Sequence, residues 1–170
     1  MADLTRGRVI AKVRAGESLE GADLSGLDIT GANLSSGDLK RANLKGANLT
    51  GAYLTGTHLE GASLERADLK SARLRSANLS EANLSGAKLI RTDMSGANLS
   101  GANLSDANLS DANLWKANLT GANLLHANLT RALIAMTNLK GANLKQADLT
   151  DTKLIKAELT DTILPEGFEE

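Results

Sequence analysis

Two histidines, His58 and His126, twenty aspartates and glutamates, and a large supply of serines and threonines are the side chains of this 170-residue chain that could carry chemistry. Paired imidazoles could hold a metal or pass a proton, and a hydroxyl beside an imidazole could act as a nucleophile. The chain has no cysteine, so disulfides and thiolate metal sites are excluded. The remaining options need groups brought within hydrogen-bonding reach of one another. His58 and His126 stand 68 residues apart and the carboxylates are spread along the chain. Whether any of these groups meet depends on the elements that carry them.

Composition describes an unusual core. Hydrophobic residues make up 42% of the chain, yet it has one Trp, one Tyr and one Phe. Aromatic side chains normally supply much of the buried area, so this core must be aliphatic and thin. Cations number 19 against 20 anions, a net charge of −1 that argues against direct nucleic-acid binding. No apolar run approaches the ~18 residues of a membrane-spanning helix. Residues 1–13 lack the apolar stretch and small-residue cleavage site of a signal peptide. With no cysteine, the expected location is cytoplasmic.

The organising feature is a period of five. Leu stands at 19, 24, 34, 39 and onward to 164, replaced only by Ile29, Met94 and Ile134, which makes thirty consecutive centres without an insertion. Two residues before the centre sits Ala, at 22 of the 29 positions from 22 to 162; Leu27, Gly37, Thr57, Thr92, Thr137, Thr152 and Thr162 are the others. Asn or Asp dominates the position just before the centre. A helix would smear this period around its circumference, and a strand would send successive centres to opposite faces. The pattern needs a short extended segment followed by a corner, with Leu and Ala both inward. Asn and Asp suit the corner because they bond nearby backbone, and Gly at the unit's end, as at Gly21, Gly26 and Gly31, relieves a positive φ.

The motif A-(N/D)-L-x-x, as in Ala97-Asn98-Leu99-Ser100-Gly101, resembles the pentapeptide-repeat family over roughly residues 17–166. The resemblance implies an all-β fold, a right-handed quadrilateral parallel β-helix with four units per coil. Thirty units then give about 7.5 coils, and at ~4.8 Å per coil a rod of about 36 Å. Such a stack needs caps at both ends. Residues 1–16 read as an N-terminal cap: Leu4, Val9, Ile10 and Val13 share one face of a short helix that Gly16 ends. The competing reading continues the β-helix through Leu4 and Val9, which fall in register, but turns Arg14 inward. Residues 17–166 are the β-helix and 167–170 a tail. At that end Leu164 and Phe168 either fold over the last coil or seed an end-to-end homodimer, as the resemblance to dimeric family members suggests.

With four units per coil, residues twenty apart stack, so His58 and His126 lie on different sides about three coils apart. They share no metal and form no dyad. The serines and threonines are turn residues, the glycines recur with the repeat and form no phosphate loop, and a solid Leu core leaves no ligand-sized pocket. The expectation is no enzyme activity, no cofactor and no metal.

The same stacking sorts the surface. The face with centres 34, 54, 74, 94, 114, 134 and 154 carries Arg73, Arg75, Lys116, Lys153 and Lys156 against Asp93, a net +4; the face beginning at centre 19 nets −3. Outward apolar residues gather on the basic face: Trp115, Ala135 and Ile155 in one column, Leu133 and Met136 beside it, Tyr53 further toward the N-terminus. Such area on a monomer often marks an interface, and Trp is favoured at hot spots. The expected partner-binding patch is Trp115, Lys116, Leu133, Met136, Lys153, Ile155 and Lys156; the alternative is drift on a solvated face. The leading functional expectation is a scaffold or regulator that binds a protein. A second is the gyrase protection known in the family, by imitation of duplex DNA. A 36 Å stretch of duplex carries ~20 negative charges, far from −1. Ice binding by a Thr ladder is spoiled by Lys70 and Ile90 in the column that holds Thr30 and Thr50.

Overall fold

In the computed structural model, which describes residues 4–168, one five-residue unit contains most of the folding logic. In Ala97–Gly101 each backbone N–H has its own acceptor. Ala97 N–H bonds back to the Met94 carbonyl at 3.0 Å, closing the corner. Asn98 N–H reaches Ala77 O in the preceding coil at 2.9 Å, and Leu99 N–H reaches Asn118 O in the following coil at 2.7 Å. Ser100 N–H is taken by the Asn98 side-chain Oδ1 at 3.2 Å. Gly101 N–H reaches Thr120 O at 2.9 Å. A coil with no long strand thus leaves none of these donors orphaned, and the Asn is the acceptor the backbone cannot supply.

Repetition of this unit sets the coil. Parallel bridges join residues twenty apart, from Asp23–Asn43 through Asn143–Ile163. Four units therefore complete one turn of a parallel β-helix. The Asn side chains also bond along the axis: Asn118 Nδ2 donates to Asn98 Oδ1 at 3.2 Å, and Asn98 Nδ2 to Asn78 Oδ1 at 3.1 Å. One amide so serves its own corner through oxygen and the preceding coil through nitrogen.

The residue two after each centre is left-handed throughout: every fifth residue from 21 to 161 has φ between 54° and 66°. The corner is a turn that demands positive φ at its third residue. Glycine meets the demand at many of these positions, but Arg41, Ser71, Glu81 and Lys116 adopt the same φ. None of them is Val, Ile or Thr, the branched residues that left-handed backbone tolerates worst, although Thr is common one residue earlier. The left-handed state costs an L-residue roughly 1–2 kcal/mol, offset in part by glycine's larger loss of chain entropy. Ser71→Gly is therefore expected to raise stability by about 0.5 kcal/mol and Ser71→Val to lower it by about 1–2 kcal/mol, read from urea midpoints.

Inside, the centre residues and the alanines two before them are almost wholly inaccessible to solvent from Ala32 to Leu144. The exceptions to Ala have local reasons. Thr57, Thr92 and Thr137 are fully buried, and each hydroxyl donates to a carbonyl of the preceding coil, Leu34 O, Leu69 O and Leu114 O, at 2.7–2.9 Å. At Gly37 a Cβ would lie 3.2 Å from Val13 Cγ1 and 3.0 Å from Leu34 O. Here the N-terminal segment needs the room that a methyl takes elsewhere.

That segment is α1, Arg6–Arg14. Thr5 caps its start by accepting from Arg8 N–H at 3.4 Å. Its end follows the Schellman pattern: Gly16, at φ 69°, bonds to Val13 O and Glu17 N–H to Lys12 O. Val9 is fully buried, and Leu4, Ile10 and Val13 pack against the core. At the other end no helix among the described residues gives such cover. Leu149, Leu154, Leu159 and Leu164 are only half-buried, whereas the centres of the inner coils are closed. Phe168 is half-buried, and its N–H reaches Pro165 O at 3.3 Å.

Candidate functional site

The outward residues stand on a rigid frame because their backbones are held on both sides. Leu133 pairs with Asn113 and Lys153. Lys116 N–H bonds Ala135 O at 2.9 Å, and Met136 N–H bonds Ile155 O at 2.8 Å. This places Trp115, Ala135 and Ile155 in an axial row, with Leu133 and Lys153 along one side and Lys116, Met136 and Lys156 along the other. Trp115 is 40% exposed, Met136 49% and Ile155 53%, and Leu133 is half-buried. All seven residues of the expected patch lie on this one face.

Ala135 is the departure. It is buried at 8% and so forms the floor between Trp115 and Ile155. Ser95, on the other side of Trp115 in the row, is equally covered at 9%. Large and small residues alternate as Arg75, Ser95, Trp115, Ala135 and Ile155, and the small ones lie below the large.

The charges differ along the face. Toward the N-terminus, Arg73 Cζ lies 4.7 Å over the Tyr53 ring and Arg75 lies 3.9 Å from Asp93. Toward the C-terminus, Lys116 Nζ lies 4.4 Å over the Trp115 ring, an attraction of the cation to the ring face. Lys153 and Lys156 are exposed and have no ion-pair partner among the described residues. The cation stacking was legible in principle, since Lys116 adjoins Trp115 and Arg73 follows Tyr53 by one coil.

This face also gives up a structural bond most often. The acceptor just before the centre is absent at Tyr53, Arg73, Leu133 and Lys153, four of its seven units, because those side chains have no amide or carboxylate oxygen to offer the following N–H. Elsewhere such losses are scattered, as at His58 and Lys88.

The histidines are distant from each other but not solitary. His126 Nδ1 lies 3.3 Å from Asp106 Oδ1 and its Nε2 3.0 Å from Gln146 Oε1, one coil to either side. His58 Nδ1 lies 3.4 Å from Glu60. Partners at a spacing of twenty were readable for His126. Among the described residues no three His, Asp or Glu side chains are grouped to hold a metal ion. Surface depressions are shallow, such as one of 510 Å³ over Leu4, Arg8 and Ala11 and one of 420 Å³ by Gln146 and Pro165.

Titration follows the corners. Hydrogen bonds from Ser25, Thr30, Thr150 and Thr160 hold Asp23, Asp28, Asp148 and Glu158 below the ordinary carboxylate range. Ser18 does the same for Asp38, and the Arg131 guanidinium, at 2.8 Å, for Asp111. A depressed folded-state pKa contributes stability above the unfolded value, and that stability is lost as pH falls through the folded one. The melting temperature should therefore be flat from neutrality to about pH 4 and fall below it. Asp111→Asn removes part of that slope, whereas an unchanged slope would assign the acid loss to other groups.

No helix among the described residues is long and apolar enough to cross a membrane. The family model described as "Pentapeptide repeats (8 copies)" matches overlapping segments that together run over residues 16–164. The pentapeptide-repeat protein Rfr23 from the cyanobacterium Cyanothece 51142 is 41% identical, over 54% of this chain and 63% of its own, with a TM-score of 0.53. The chain thus spans under two thirds of Rfr23. HetL of the cyanobacterium Nostoc sp. strain PCC 7120, a pentapeptide-repeat protein involved in heterocyst differentiation regulation, is 28% identical over 99% of this chain and 100% of its own, with a TM-score of 0.39. Full-length QnrB1, a plasmid-mediated fluoroquinolone resistance protein, is 16% identical over 95% of this chain and 88% of its own, with a TM-score of 0.31. No curated protein matches the chain by sequence. With the five-residue unit, the twenty-residue coil and the family model in agreement over nearly all its length, the chain belongs to the pentapeptide-repeat family.

Proposed function

We propose that this protein is a non-enzymatic scaffold that binds a protein partner through the face bearing Trp115, Lys116, Leu133, Met136, Lys153, Ile155 and Lys156. The observation that carries the reading is the coincidence, on one face, of exposed large apolar side chains, lysines without an ion-pair partner among the described residues, and corners stripped of their Asn. Corner bonds given up at four of the seven units of this face, more often than on the other three, are a local cost that drift would spread evenly.

In this reading the rod is right-handed with about 7.5 coils, since thirty units divide by four per coil. Residues 1–16 are its cap, 17–166 its body and 167–170 its tail. Leu164 and Phe168 close the open end or pair it with a second copy; light scattering of the purified protein separates the two by mass. A rod of net charge −1 lacks the anionic surface that imitation of duplex DNA requires, so gyrase supercoiling is expected to be unaffected at micromolar protein.

The test is affinity capture by wild type beside Trp115→Ala/Met136→Ala. Both side chains are exposed, so the variant keeps its fold, checked by circular dichroism. A partner held by wild type should be weakened roughly a hundredfold, the loss of two anchors at about 1.4 kcal/mol each. A partner retained in full by the folded variant rules out this face.

A further inference from the structure

We propose that the segment this face receives is an acidic amphipathic helix lying along the rod axis; the proposal rests on the partner-binding reading above. Three features point to it. The first is spacing. Trp115 and Ile155 are two coils apart, about 9.6 Å at ~4.8 Å per coil. Residues i and i+7 of an α-helix lie ~10.5 Å apart along one face. One helix can therefore seat apolar residues against Trp115 and Ile155 together. The second is shape. Between those two the row dips to Ala135, buried at 8%, flanked by Leu133 and the exposed Met136. The dip accepts the side chain at i+3 or i+4. The third is charge. Lys153 lies on one side of the row and Lys116 and Lys156 on the other, Lys116 and Lys156 themselves two coils apart. Neither Lys153 nor Lys156 has a carboxylate within ion-pair distance among the described residues. The face's one carboxylate, Asp93, lies outside the patch beside Arg75. A helix with an apolar stripe and Glu or Asp on both flanks meets all three features.

The chain's single tryptophan lies in the patch, so its fluorescence reports occupancy without a label. The probe is a synthetic helical peptide with Leu at i, i+3 and i+7, Glu on both flanks and no aromatic residue. Its controls are the same peptide with Lys for Glu and a scrambled peptide of equal composition. The expected result is a saturable change in Trp115 emission with the acidic peptide. It should bind at least about tenfold tighter than either control and weaken as salt rises. Lys116→Glu/Lys153→Glu/Lys156→Glu, all exposed and checked for fold, should invert the preference between acidic and basic peptides. Equal binding of both peptides, equal binding of the scrambled one, tighter binding of a single-stranded oligonucleotide, or no emission change up to about 1 mM acidic peptide would each overturn the proposal. Failure of the underlying reading looks different. If a captured partner is lost by Trp115→Ala/Met136→Ala but kept by the charge-reversed variant, the acidic helix is wrong and the binding face stands. A partner kept by both variants removes both.

Discussion

Leu99→Ala should lower the unfolding free energy by about 4 kcal/mol, near the top of the range for buried Leu truncation, while Leu159→Ala should cost about 1 kcal/mol. The two residues share a face and a place in the repeat and differ only in position along the stack. Leu99 is fully buried. The cavity left by its truncation cannot collapse, because the coils around it are fixed by backbone bonds. Leu79 N–H bonds Asn98 O at 2.7 Å, Leu99 N–H bonds Asn118 O at 2.7 Å, and Asn118 N–H bonds Ala97 O at 2.9 Å. Coil spacing is thus set by the ladder, and the emptied volume loses its dispersion contacts outright. Leu159 is only half-buried, so truncation there removes less buried surface and leaves an open notch. Urea unfolding followed by circular dichroism checks the difference. Trp115 fluorescence, followed in parallel, tests whether the weakened stack still melts as one unit. Equal losses at the two sites would mean that stability does not depend on burial along the axis in this way.

Much of this was legible because the repeat leaves so little freedom. A Leu every fifth residue with Ala two before it admits a small corner-and-segment unit and little else, and Asn before the centre names the corner's missing acceptor. Other features were hidden for physical reasons. Gly37 reads as one more irregularity at an Ala position; only the approach of Val13 explains it, and that is a contact between segments with no periodic relation. The left-handed backbone at Arg41 or Met136 cannot be inferred from those residue types, though the absence of Val, Ile and Thr at every such position is a signal in the sequence. Ala135 shows the limit of column arithmetic on the surface: its outward position is certain, but its burial depends on how its large neighbours in the row lie. The patch itself is visible as composition on one face. Its dip, and the division between partnered and unpartnered cations, emerge only with coordinates.

Val9→Asp should release α1 from the rod and lower stability by about 3–4 kcal/mol, the loss of one buried aliphatic side chain and of the docking it anchors. The helix has little stability of its own. Nine residues fall short of the roughly 12–15 an isolated helix needs in water. Its first turn has no acid and carries Arg6 and Arg8 where the helix dipole is positive. Only Lys12 and Arg14, in the last turn, suit the dipole. What holds the helix is docking: Val9 fully buried, Leu4, Ile10 and Val13 against the core, and the Arg6 guanidinium bonded to Thr30 O at 3.0 Å. A carboxylate at position 9 would be buried without a partner, so the helix leaves rather than the charge staying. Departure uncovers the first coil, Leu19, Leu24, Ile29 and Leu34, against which α1 packs. The observable is hydrogen exchange. In the variant, amides of α1 should exchange at unfolded rates and those of the first coil should follow, while the coils around Leu99 stay protected. Uniform loss of protection along the rod would mean that the cap and the stack fold as one cooperative unit, and retained protection in α1 would mean that the helix does not depend on Val9.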